Sequence, residues 1–175
     1  MRDFSDDLKA LRRDRGVGAN VWTHYPRLIV SIDWIKGARA MSLLDDILPH
    51  DVTGGPRRFD LLVVDEVHQC APAGRGAYAT DSLRTLAIRK LAPHCEHRLF
   101  LSATPHNGYT ESFAALLEML DSQRFTRRVL PPESARARVV IRRLKSELRE
   151  ALPPREDGTP RFAERRLVPI EVEYP

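Results

Sequence analysis

Residues 61–68, Leu-Leu-Val-Val-Asp-Glu-Val-His, run four apolar side chains straight into two adjacent carboxylates and a histidine. Leu61 to Val64 show no polar alternation, as in a strand covered on both faces of a parallel sheet. In open α/β sheets, ligands bind beyond the carboxyl ends of the strands. Carboxylates at that edge suit a hydrated Mg²⁺, which takes oxygen ligands and keeps several waters. A second carboxylate beside the first can orient and polarise an attacking water. Asp65 and Glu66 are therefore candidates for nucleotide hydrolysis. The plainer reading is a buried strand that happens to end on acidic residues.

A second apolar run, Leu99-Phe100-Leu101, ends in Ser102, Ala103 and Thr104. Hydroxyls beside a carboxylate–histidine cluster can form a hydrogen-bond relay. Ser-Ala-Thr is a common tripeptide by itself; its weight comes from following Asp-Glu-Val-His with one helical segment between. Cys70 and Cys95 make no Cys-x-x-Cys pair, and the stretches His-Gln-Cys (68–70) and His-Cys-Glu-His (94–97) lack recognised zinc spacings. Buried or idle thiols are the better reading of both cysteines.

The elements that must position these groups alternate in type. Residues 5–15 predict a short charged helix with Ser5 at its N-cap and Leu8 and Leu11 on one face. Residues 27–37 predict a strand followed by a turn or helix start, 40–48 a helix, and 49–58 a loop with strong breakers. A strand at 59–65 follows, then a flexible connection over 70–79. A helix at 81–92 is closed by Pro93. The strand of 97–102 leads to an amphipathic helix over 110–121, with Thr110 or Ser112 near its cap. Residues 137–148 read as another strand or helix start, 153–166 as an exposed linker, and 166–175 as an extended segment. The order implies an α/β fold of three layers, with a mainly parallel sheet flanked by helices and strands near 28–32, 60–65 and 98–102.

The whole chain sets bounds. Its 175 residues, 42% hydrophobic and 30% charged, suit one soluble domain with a real core. No apolar run approaches the roughly 20 residues needed to span a bilayer. The charged N-terminus is unlike a secretory signal, so a cytoplasmic protein without a membrane partner is expected. A net charge of +4, from 28 basic and 24 acidic residues, is compatible with nucleic acid without demanding it.

Together, Asp65-Glu66-Val67-His68 and Ser102-Ala103-Thr104 resemble motifs II and III of the superfamily-two helicases and translocases, which are built on RecA-like lobes. Residues 102–125 and Ile-Arg-Arg-Leu-Lys-Ser-Glu-Leu (141–148) look like the Swi/Snf branch. The similarity is greatest to its prokaryotic members, including RNA-polymerase-recycling ATPases and the helicase of DISARM phage defence. The resemblance spans roughly residues 27–174, most specifically 59–68 and 99–125. It implies ATP and Mg²⁺ as cofactors and double-stranded DNA as partner. Asp65 would hold the Mg²⁺ through water and Glu66 would activate the hydrolytic water. His68, Ser102 and Thr104 would couple the nucleotide site to a second lobe. Asn107 and Gly108 match the turn after motif III. Lys36, Arg39, Asn107, Arg142, Arg143 and Lys145 are candidate nucleic-acid contacts, although a solvated helix face explains the basic stretch at 142–145 about as well.

The family also needs a Gly-Lys-Ser/Thr phosphate loop. None of the four lysines, Lys9, Lys36, Lys90 and Lys145, follows a glycine. The expectation is therefore a partial first RecA-like lobe over 1–150, lacking the phosphate-loop strand, with 151–175 a linker toward an absent second lobe. A separately encoded phosphate-loop segment and second lobe would be partners. Alone, the chain should not turn over ATP. The alternatives are a non-catalytic DNA- or protein-binding module derived from such a lobe, and an unrelated Mg²⁺-dependent hydrolase using Asp65 and Glu66.

Overall fold

The computed structural model describes residues 4–49, 57–73, 80–105, 109–162 and 167–171. Asn107 and Gly108 lie outside the described residues, as do most of the breaker-rich loop and of the 70–79 connection, part of the linker, and the last residues of the extended segment.

The chain divides into two compact units, Met1–Pro131 and Pro132–Pro175. The first carries helices α1 (Phe4–Arg15), α2 (Val21–His24), α3 (Ile32–Ile35), α4 (Ala38–Asp45), α5 (Leu83–Leu91) and α6 (Thr110–Leu120), and strands β1 (Phe59–Val64) and β2 (Cys95–Phe100). The strands form a two-stranded parallel sheet, with Leu61 opposite His97 and Val64 opposite Phe100. The α/β class is thus present, with two strands among the described residues rather than three.

The strand expected near 28–32 is absent. Residues 28–31 form no regular element, and Ser31 instead starts a helix, its hydroxyl accepting the Asp33 N–H at 3.1 Å. A capping hydroxyl inside the apolar run outweighs the β propensity of its neighbours. One capping expectation also fails and another holds in part, since α6 starts at Thr110 beside its cap residue Tyr109. Helix α1 already includes Ser5, and Ser112 is buried and donates to the Pro72 carbonyl at 2.9 Å. Ser112 anchors α6 rather than capping it.

The crossover from β1 to β2 runs through α5, which starts at a reciprocal cap: Ser82 Oγ accepts the Thr85 N–H while Thr85 Oγ1 accepts the Ser82 N–H, both at 3.2 Å. Its apolar side serves two cores. Ala87 and Leu91 join Leu8, Leu11, Val21, Trp22, Leu43 and Leu44, whereas Ile88 joins Val64, Val67, Cys70, Leu116 and Met119. Arg89 bridges to α6 through Glu118 at 2.9 Å.

The sheet's other face is bare: Leu61, Val63, Leu99 and Leu101 are 56%, 49%, 49% and 41% exposed. The expectation of strands covered on both faces is therefore corrected. A continuous apolar run reports that a strand needs two covering layers, and here one is in place.

The second unit holds α7 (Glu133–Arg136) and α8 (Lys145–Ala151). The Leu144 N–H is capped by Glu147 at 3.0 Å, and Arg149 donates from Nε and Nη2 to the Phe162 carbonyl at 3.3 and 3.2 Å. A tight turn joins Arg155 to Thr159, with Gly158 at φ +80°, where a side chain would be strained.

Candidate functional site

The sheet's carboxyl edge is built by one backbone irregularity. The Leu101 N–H donates to the Val64 carbonyl at 2.9 Å, and the Leu101 carbonyl accepts from the Val67 N–H at 3.0 Å. A regular parallel ladder would join one residue to partners two apart, so Asp65 and Glu66 contain one residue too many and bulge outward. Bulges of this kind re-aim side chains beside functional sites. Closing the bulge puts Glu66 at φ +48°, the one non-glycine residue with positive φ among the described residues. Such a conformation costs on the order of 1–3 kcal/mol and is kept only where its surroundings dictate it.

The Glu66 N–H, displaced from the ladder, donates to Asp65 Oδ1 at 2.9 Å. Both carboxylates are exposed at the strand end.

Past the bulge, a 3₁₀ turn over Val67–Cys70 presents His68. Its Nδ1 lies 3.2 Å from Glu66 Oε2 and 3.0 Å from Ser102 Oγ, and Ser102 Oγ accepts the Thr104 N–H at 3.1 Å. The turn after β1 and the turn after β2 thus meet on one edge. With the proton on Nδ1, His68 donates to Ser102 Oγ while Glu66 Oε2 lies beside it at ion-pair distance; with Nδ1 bare, Ser102 donates to it.

The chemistry this permits is limited in one informative way. A serine nucleophile is activated when hydroxyl and carboxylate sit at opposite ring nitrogens. Here both approach Nδ1, so the group is no Ser-His-Glu triad; it links two turns.

Among the described residues no three His, Cys, Asp or Glu side chains gather to hold a metal ion. Asp65 and Glu66 offer exposed oxygen donors, the set that Mg²⁺ uses when water and substrate phosphates complete its shell. They fit that mode and not an all-protein cage. The thiols take no part: Cys70 and Cys95 are buried, and burial pushes both from 9.0 up to about 11. His94 is also buried, and desolvation first, then Arg57 and Lys90, holds its imidazolium below the usual range.

No family model, curated protein or solved structure matches the chain. The site is read from its own geometry. Among the described residues no helix is long and apolar enough to cross a membrane.

The candidate nucleic-acid contacts separate. Lys36 ends α3 and pairs with Asp33 at 2.8 Å, and Arg39 is exposed in the first turn of α4. Arg142, Arg143 and Lys145 are exposed in the second unit, where Arg143 donates to the Arg142 carbonyl at 2.9 Å. Gln69, Asp33 and Arg84 carry no pattern that sequence reasoning could pick out. Arg84 donates from Nη2 to Asp33 Oδ1 at 2.7 Å and from Nη1 to Gln69 Oε1 at 3.1 Å. A link spanning 51 residues of chain leaves no local pattern to read.

Proposed function

We propose that the chain supplies the acidic and coupling part of the first RecA-like lobe of an ATP-dependent DNA helicase or translocase of Swi/Snf type. The observation that carries this is the His68–Ser102 contact at 3.0 Å, which joins the carboxylate bulge to the Ser-Ala-Thr turn. An acidic pair alone fits many sites. A histidine that touches both the second carboxylate and a hydroxyl of the neighbouring strand's turn fits a site that reports its state elsewhere.

In this reading ATP with Mg²⁺ supplies the phosphoryl group and its charge neutralisation. Asp65 would hold the ion through its water shell, and Glu66, turned out by the bulge, would orient the attacking water and take its proton. His68, Ser102 and Thr104 would pass the state of that site toward a second lobe. Lys36 and Arg39, with Arg142, Arg143 and Lys145, would meet duplex phosphates, giving weak binding that falls as salt rises. The edge of β2 that β1 leaves free would pair with the phosphate-loop strand of a partner segment, and the helix of that segment would cover the bare face.

The 175 residues contain no Gly-Lys-Ser/Thr, and this favours a second reading, a non-catalytic DNA- or protein-binding module of the same origin. Phosphate release separates the two. The chain alone should be inactive, since a missing arginine finger by itself costs on the order of 10³–10⁵ in rate. Combined with a phosphate-loop segment and second lobe of this family, it should become a DNA-stimulated ATPase. There Glu66→Gln should keep nucleotide binding and lose turnover, and Asp65→Asn should weaken Mg²⁺-dependent binding. An assembled Glu66→Gln protein as active as the parent would overturn the assignment, and an assembly that binds DNA without any turnover would favour the module.

A further inference from the structure

We infer that Arg84 is a positioning residue that ties the partner of Lys36 to the turn carrying His68. The inference rests on the reading of Lys36 as a nucleic-acid contact and extends it to a route by which the contact is felt at the acidic edge.

Two cations share one carboxylate oxygen through three nitrogens. Lys36 Nζ lies 2.8 Å from Asp33 Oδ1, and Arg84 donates to the same atom from Nη2 at 2.7 Å and from Nε at 3.1 Å. The third nitrogen of the same planar fork, Nη1, donates to Gln69 Oε1 at 3.1 Å. Gln69 follows His68 in the 3₁₀ turn, whose first N–H is bonded to the Leu101 carbonyl just past β2 and whose imidazole faces Glu66 and Ser102.

The cations on Asp33 compete. The Lys36 ammonium, and after it Arg84, holds the Asp33 carboxyl below its ordinary 3.8, so the oxygen is a full charge at neutral pH. A duplex phosphate that draws Lys36 away leaves that charge to Arg84 alone. Guanidinium nitrogens move as one rigid fork. A closer bond to Asp33 therefore shifts Nη1 against Gln69, and the turn bearing His68 shifts with it. Asp33 and Arg84 are partly exposed, with side chains 57% and 32% accessible, so the response should fade with added salt.

The test is the ring carbon–proton NMR signal of His68 in the full chain, assigned by its loss in His68→Gln and followed to saturation with a short DNA duplex. In the parent the signal should move. In Lys36→Ala it should stay put while other contacts still bind the duplex. Gln69→Ala, an exposed substitution that keeps the Asp33 pair, should also silence it. So should Arg84→Lys, which keeps the charge but cannot reach both partners. Comparison at saturation removes any effect of altered affinity. An unchanged His68 shift in Arg84→Lys and Gln69→Ala would overturn the role of Arg84. A parent that binds duplex through Lys36 with His68 silent sinks this inference and spares the functional reading; a parent that binds no duplex sinks both.

Discussion

Toward its carboxyl end the β1–β2 sheet carries apolar side chains on both faces, and they meet different surroundings. On one, Val64 is 7% exposed beneath Ile88 and Leu116; on the other, Leu61 and Val63 are about half exposed, at 56% and 49%. Parallel sheets occur almost only with both faces covered. The covered face shows what stabilises the first unit by itself. The bare face shows where its strands still need a layer, and the proposed function puts the phosphate-loop segment there.

The sharpest way to break this contrast is to hollow the covered face. Leu116 is 4% exposed in the core that joins α6 to β1. Leu116→Ala should cost about 2–5 kcal/mol, the range for a buried leucine whose surroundings relax only in part. Urea unfolding with an unchanged slope would measure it. A cost below about 1 kcal/mol would mean that α6 is not packed on the sheet as described.

The thiols probe the two cores by pH. Cys70 and Cys95 belong one to each core, with folded values near 11 against an ordinary 9.0. Their neutral form is favoured by folding. The stabilisation is therefore complete below pH 9.0 and is lost as pH rises toward about 11, where the unfolded chain ionises first. Urea midpoints should fall across that window more steeply in the parent than in a Cys70→Ala, Cys95→Ala variant. Equal slopes would show thiols that reach solvent.

Much of the covered side was legible in the sequence, because periodicity reports burial. Leu8 and Leu11, the α5 and α6 stripes and both strands lie close to where their patterns put them. The strand expected at 28–32 failed because Ser31 acts as a cap, and a cap is decided by one side chain against a run of β-formers. The bare face failed for a different reason: residue type says what a strand wants next to it, and only the fold says what is there. At the candidate site, Asp65, Glu66, His68 and Ser102 could be picked out by type and spacing. The bulge could not, since it arises from Leu101 bonding to both Val64 and Val67 across the sheet. Nor could Arg84, whose partners lie far away in sequence.

The bulge supplies a smaller effect of opposite sign. Glu66 sits at φ +48°, and Glu66→Gly removes the steric penalty of a side chain there. Against the greater freedom that glycine gives the unfolded chain, the gain should be about 1 kcal/mol or a little less. The same change should abolish any activity of the assembled protein, so stability and function would move apart. A loss of stability would show that the Glu66–His68 contact outweighs the backbone strain.

The smallest expected effect lies on the bare face and bears most directly on the comparison. Complete burial of a leucine side chain is worth about 1.5–3 kcal/mol, and Leu61 and Leu99 keep about half of theirs in water, at 56% and 49% exposure. Threonine is β-branched, a shape that strands favour. Leu61→Thr and Leu99→Thr should therefore cost roughly 0.5 kcal/mol each, well below Leu116→Ala. Urea midpoints would measure that difference, and sedimentation velocity would show whether self-association of the chain declines as the apolar patch shrinks. In the assembled protein the ordering should reverse. If the phosphate-loop segment seats on this face, the same two substitutions should weaken its binding far more than they weaken folding, because the side chains become fully buried only there. A cost above about 2 kcal/mol in the chain alone would mean that the face is already core; an unchanged affinity for the segment would place that partner elsewhere.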